Sequence, residues 1–90
     1  MSQQSEHDPG EHGFHVVINA ELHIVRDAHA TFEEIVELAF PGGSTNPDNI
    51  FRVDFENAAS QPHSGTLVKG GHTEVKKDGT EFSVIRSVRS

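Results

Sequence analysis

Ninety residues make one small domain, which buries only about 60% of the surface its unfolded chain exposes, so its core is thin. Fourteen acidic residues against seven basic ones give a formal net charge of -7, the opposite of what a phosphate-binding surface needs, which argues against nucleic acid as a partner. The absence of cysteine removes disulfides, thiol nucleophiles and thiolate metal sites together. With no apolar run of membrane length and no signal-peptide character, the expectation is a cytoplasmic protein with no membrane partner.

Residues 1–13, MSQQSEHDPGEHG, carry no aliphatic side chain after Met1. Such a composition cannot offset its ordering entropy and is expected to form a disordered tail. The folded unit is expected to begin at Phe14. FHVVIN (14–19) and ELHIV (21–25) are short and β-branched, and the tight connection Asn19-Ala20-Glu21 predicts a hairpin. A period of two places Phe14, Val16 and Ile18 on one face, joined by Leu22 and Ile24 of the returning strand. His15, Val17, His23 and Val25 fall on the other.

A helix follows. Thr31 and Glu34 have the spacing of a capping box, and Phe32, Ile35, Val36, Leu38 and Ala39 form an apolar stripe opposite Glu33, Glu34 and Glu37. Pro41 ends it, and Gly42-Gly43 supply a left-handed exit. IFRVDF (50–55) alternates as a strand, with Phe51, Val53 and Phe55 on one side. Residues 56–65 form a polar loop. GTLVKGG (65–71) adds a brief apolar contact, and TEVKK and TEFSVIRS flank Asp78-Gly79, a two-residue hairpin signal. One helix across one face of a mixed sheet of four or five strands satisfies all these apolar faces. The class is α+β, and a helical link from the second strand to the third gives a β-grasp arrangement, with the strand order resting on precedent.

VELAFPGGSTNPDNIFRVDFENA and GTLVKGGHTEVKKDGTEFSVIRS resemble the bacterial multiubiquitin-type ubiquitin-like proteins. AFPGG (39–43), the Asn-Pro-Asp before the third strand, GTLVKGG and KKDGTEF carry the resemblance in combination. It implies a β-grasp domain over residues 14–87, a C-terminal tail at 88–90, and a role as a protein modifier. The implied partners are a ubiquitin-activating-like enzyme, a ubiquitin-conjugating-like enzyme, a processing peptidase and target proteins, in a pathway that looks defensive. Members of that family carry one such domain or several in tandem, and this sequence holds one copy.

Several chemical readings fail on composition and spacing. His7, His12 and His15 are close in sequence but fit no helical ligand pair, and the four converging ligands of structural zinc are lacking, so no metal site is expected. Asp54, His63 and Ser64 have the residue types of a triad but none of the surrounding signatures, so no catalytic residue is expected. The pairs Gly42-Gly43 and Gly70-Gly71 match no phosphate-binding pattern and read as turns. No cofactor is expected, and the chain is not expected to be an enzyme.

Two candidate sites remain. The parity above places Val17, Val25 and Ile85 on the sheet face away from the helix, with His15 and His23 around them. The resemblance implies a recognition patch there, while scattered exposed apolar residues are also ordinary. The second is the terminus Val88-Arg89-Ser90, whose carboxylate the resemblance implies is activated with ATP and transferred to targets. Many modifiers end in Gly-Gly, which has no side chain to obstruct a narrow channel. The last glycine here is Gly79, so a glycine end is not available without loss of the final strand. Lys69, Lys76 and Lys77 are the only lysines, which leaves few acceptors for Lys-linked chains. A non-covalent binding or self-assembly module, using the sheet face or an edge strand, is the alternative.

Overall fold

The computed structural model describes residues 13–88. The expected N-terminal tail, including His7 and His12, therefore lies outside the described residues but for Gly13, as do Arg89 and Ser90. The elements are β1 (Phe14–Ile18), β2 (Glu21–Val25), β3 (His29–Thr31), α1 (Phe32–Ala39), a single 3₁₀ turn (Gly43–Thr45), β4 (Asn49–Glu56), β5 (Gly65–Leu67), β6 (His72–Glu74) and β7 (Asp78–Val88). Five strands form one mixed sheet in the order β2-β1-β7-β4-β5, and β3 and β6 form a separate antiparallel ribbon. β1 and β7 are parallel, and the other pairs are antiparallel. This is the expected β-grasp arrangement, with the last strand at the centre of the sheet.

Local chemistry places α1 as expected. The Thr31 hydroxyl accepts from the Glu34 amide at 3.1 Å, which satisfies one of the helix's orphan donors. The helix stops at Ala39, and Gly42 turns the chain away at φ +80. Phe32, Ile35 and Val36 are buried against Val16, Ile18, Val53, Phe55, Phe82 and Val84 of the sheet.

The β1–β2 turn is one residue shorter than expected. Ile18 pairs with Glu21, so the loop is the two residues Asn19 and Ala20, at φ 51 and 70. These signs are those of a type I′ turn. The pairing couples each even-numbered position of β1 to an odd-numbered position of β2. Phe14, Val16 and Ile18 therefore share the helix side with Val25, His23 and Glu21, while His15 and Val17 share the open side with Ile24 and Leu22. A one-residue change in the turn has inverted the faces of β2 relative to expectation.

The expected hairpin at Asp78-Gly79 does not form. Gly79, at φ +100, is the extra residue of a bulge between β7 and β1: His15 is opposite Asp78, and Val16 is opposite Thr80. Both edges of β7 are taken by β1 and β4, so β6 has no place beside it and pairs with β3 instead. His29 and His72 stack across that ribbon with ring centroids 4.1 Å apart. Thr80, fully buried, ties the bulge together by donating to the Asn57 carbonyl at 2.8 Å and accepting from the Lys76 amide at 2.9 Å. At the other end β7 runs through Val88, which pairs with Asn49. Backbone pairing needs no apolar side chain, so the ladder reaches one residue past the expected end at 87.

Candidate functional site

The face of the sheet opposite α1 is uncovered among the described residues. β2 contributes Leu22 and Ile24 to it, β1 His15 and Val17, β7 Glu81, Ser83, Ile85 and Ser87, and β4 Ile50, Arg52, Asp54 and Glu56. Alternation of side chains across each strand fixes this membership.

The expected patch is only partly assembled. Val25 is 4% exposed and belongs to the core. His23 is on the helix side, half-buried, with Nε2 3.8 Å from the Glu21 carboxylate. Both assignments are corrected by the two-residue turn. His15, Val17 and Ile85 do lie on the open face, but in two places. Val17 is level with Glu81 on β7, and Ile85 lies four residues further along, roughly 13 Å at the rise of an extended strand. The first apolar spot is Val17 with Leu22 and Ile24, which are 64% and 48% exposed. The second is Ile85 with Ile50, which are 53% and 47% exposed and are diagonal neighbours across β7 and β4.

Leu22, Ile24 and Ile50 were missing from the expected patch. The signal for the first two was the turn: a type I′ loop at Asn19-Ala20 reverses the parity of β2 and puts both residues outside.

Between the two spots the face is acidic. Glu56 and Glu81 are directly opposite one another, and Asp54 is opposite Ser83. The Asp54 carboxylate accepts from the Thr66 hydroxyl at 2.6 Å and from Arg52 Nε at 3.1 Å. The Thr66 bond foremost, with help from the Arg52 guanidinium, holds this carboxyl below the usual carboxylate range. Asp54 is thus committed to Thr66 and Arg52, and His63 Nδ1 sits 2.8 Å from the Ala58 carbonyl. Neither is arranged as part of a triad. Among the described residues no group of three or more His, Asp or Glu side chains converges to hold a metal ion. A groove of about 420 Å³ beside β4 and β5 is lined by Phe32, Phe51, Leu67 and Val68, with Arg52 and Lys69 as its charged members. It holds no acid–base pair.

The end of β7 is the other candidate. Phe82 and Val84 are buried, and Ile85 through Val88 are exposed. Arg86 lies over the Phe40 ring, 5.8 Å from its centroid. Val88 is therefore anchored by its own strand yet accessible, and Arg89 and Ser90 lie outside the described residues.

The sequence profile of multiubiquitin matches residues 14–87, the span of the sheet and helix just described. The chain belongs to the multiubiquitin family. No curated protein and no solved structure gives a significant match. Membership of the multiubiquitin family accounts for a small ubiquitin-like domain whose accessible features are a sheet face and a strand end. Among the described residues no helix is long and apolar enough to cross a membrane.

Proposed function

We propose that this multiubiquitin-family domain is a protein modifier whose C-terminal carboxylate is the reactive group. An activating enzyme would join that carboxylate to AMP at the expense of ATP, releasing pyrophosphate. A cysteine thiolate of the enzyme then displaces AMP to give a thioester, and a nucleophile on the target displaces the thiol. The domain itself supplies no catalytic group and binds no cofactor. Its partners would be an activating enzyme, a conjugating enzyme, a processing peptidase and targets in the cytoplasm, and the pathway would be one of bacterial defence.

The observation that supports this reading is the way β7 ends. Its buried half, Phe82 and Val84, is held between β1 and β4, while its last four described residues are exposed. A tail following Val88 is therefore presented from a rigid base, which lowers the ordering cost of threading it into a channel. No glycine occurs between Gly79 and Ser90, so an activating enzyme that takes Ser90 as the terminus would need a channel that accepts Val88, Arg89 and Ser90.

Incubation with the cognate activating enzyme and ATP tests the reading. The expected result is a thioester adduct, cleaved by excess thiol and lost on deletion of residues 88–90. No adduct with an enzyme shown to form its own adenylate would overturn it. A non-covalent module is the second reading, favoured by the exposed Leu22 and Ile24 beside an unpaired strand edge.

A further inference from the structure

We propose that the free edge of β2 is a self-association surface, on which β2 of a second copy pairs antiparallel about a two-fold axis through His23. This deepens the non-covalent reading and does not depend on conjugation.

Among the described residues β2 is one of the two outer strands of the sheet, with β1 as its partner on one side only. Ile18 and Glu21 flank the two-residue turn, so they form a hydrogen-bonded pair, and the alternation of an antiparallel ladder follows from there. Glu21, His23 and Val25 direct their backbone groups toward β1. Leu22 and Ile24 direct theirs outward, to the unpaired edge.

Proteins blunt such edges with very short strands, proline, lysine or a bulge. The opposite edge, β5, is three residues long, begins at Gly65 and follows a loop containing Pro62. β2 has five residues, ELHIV, with no proline and no lysine. Its pairing with β1 is regular throughout. Its exposed side chains are aliphatic at the two positions whose backbone is free.

The sequence of β2 selects a second copy as the occupant. In a two-fold antiparallel pair, residues directly opposite share a face, so only registers that keep Leu22 and Ile24 on the open side are permitted. Centring the axis on His23 places Leu22 opposite Ile24 of the other copy, and the reverse. Both positions are then hydrogen-bonded pairs. Val17, cross-strand neighbour of Leu22, extends the row, so three aliphatic side chains from each copy adjoin. Charge also permits the approach. The chain is strongly acidic overall, yet the stretch from Glu21 to Arg26 carries one negative and one positive side chain, so no like carboxylates are opposed. A contact of one strand pair lies at the small end of protein interfaces, and the expected association is weak and concentration-dependent.

Sedimentation equilibrium of the full chain from about 10 μM to about 1 mM spans the matching affinities. The expected result is a shift from monomer to dimer mass, abolished or moved at least about tenfold in concentration by either Leu22→Lys or Ile24→Lys. Circular dichroism confirms that each variant keeps its fold. Because the chain has no native cysteine, register is read by cross-linking. His23→Cys should form a disulfide dimer under mild oxidation, and Thr66→Cys on the opposite edge should not. A full chain that stays monomeric throughout, a dimer unaffected by both lysine variants, or equal cross-linking at positions 23 and 66 would each overturn the proposal. These measurements use the purified chain alone, so their failure leaves conjugation unaffected, and failure of the enzyme assay leaves the dimer unaffected.

Discussion

Asn19 binds both backbone groups of Val84: its Nδ2 donates to the Val84 carbonyl at 3.1 Å, and its Oδ1 accepts from the Val84 amide at 2.9 Å. The two residues are 65 positions apart in sequence. The Asn19 backbone amide donates to the Phe82 carbonyl at 3.0 Å, and from there the turn carries the β1 backbone away from β7. The Asn19 amide side chain takes the place of the missing peptide unit. The same residue must also adopt φ 51 to begin the turn, a conformation asparagine tolerates better than most. Asn19→Ala should therefore lose about 2–3 kcal/mol of stability, because two part-buried polar groups are left unpaired. Urea denaturation followed by circular dichroism reads it, and a loss within about 0.5 kcal/mol, the range of neutral surface changes, would show the contact to be idle.

Ala20, the next residue, has φ 70, where a Cβ is strained and glycine is not. Ala20→Gly should raise stability by up to about 1 kcal/mol, the relief of left-handed strain exceeding the extra entropy of the unfolded chain. A rise in the denaturation midpoint at unchanged slope is the expected result. A fall would mean that the Ala20 side chain makes a contact worth more than its strain.

Asp54 links stability to acid. Its folded pKa lies below the ordinary value, chiefly through the Thr66 hydroxyl and then the Arg52 guanidinium. A depressed carboxyl stabilises the fold fully above its unfolded pKa of about 3.9, and the contribution disappears as pH falls through the folded value. Wild type should therefore lose more stability than Asp54→Asn between about pH 5 and pH 2, with Asp54→Asn the less stable above that window. The effect is small, because solvent screens the site. Parallel pH curves for the two proteins would refute the coupling.

Separation of the two apolar spots makes them distinguishable in function. Ile85 lies three residues before Val88 on the strand that carries the proposed reactive end, and Leu22 lies on the far edge. Ile85→Asp should reduce thioester formation at least about tenfold, as loss of a modest recognition hot spot would, while Leu22→Asp leaves it unchanged. Both residues are exposed, so melting midpoints should stay near wild type for both variants. Equal loss from the two substitutions would mean one broad recognition surface across the whole face.

The parts of this fold that are legible in the sequence are those decided locally. Thr31, Glu34 and Pro41 mark the ends of α1 because caps and breakers act within one turn of chain. Phe51, Val53 and Phe55 read correctly because period two needs only the strand itself. Asp78-Gly79 misleads because a glycine with positive φ serves a bulge as well as a turn, and the occupant of the neighbouring edge, β1, is some 60 residues away. The three-residue strands β3 and β6 are too short to show a period. For the candidate site the decisive quantity is the length of one loop. Counting Glu21 as part of the turn moves Val25 and His23 to the outside and hides Leu22 and Ile24, although the alternation within β2 is unchanged.

The parallel pairing of β1 with β7 also has a mechanical consequence. The chain enters β1 at one end of that ladder and leaves β7 at the other. A load applied between Phe14 and Val88 pulls the two strands in opposite directions along their length. The inter-strand bonds then bear it together in shear instead of opening one after another, and β4, antiparallel along the other edge of β7, resists the same displacement. A partner that grips whatever follows Val88 would find the domain a stiff handle, slow to unravel from that end.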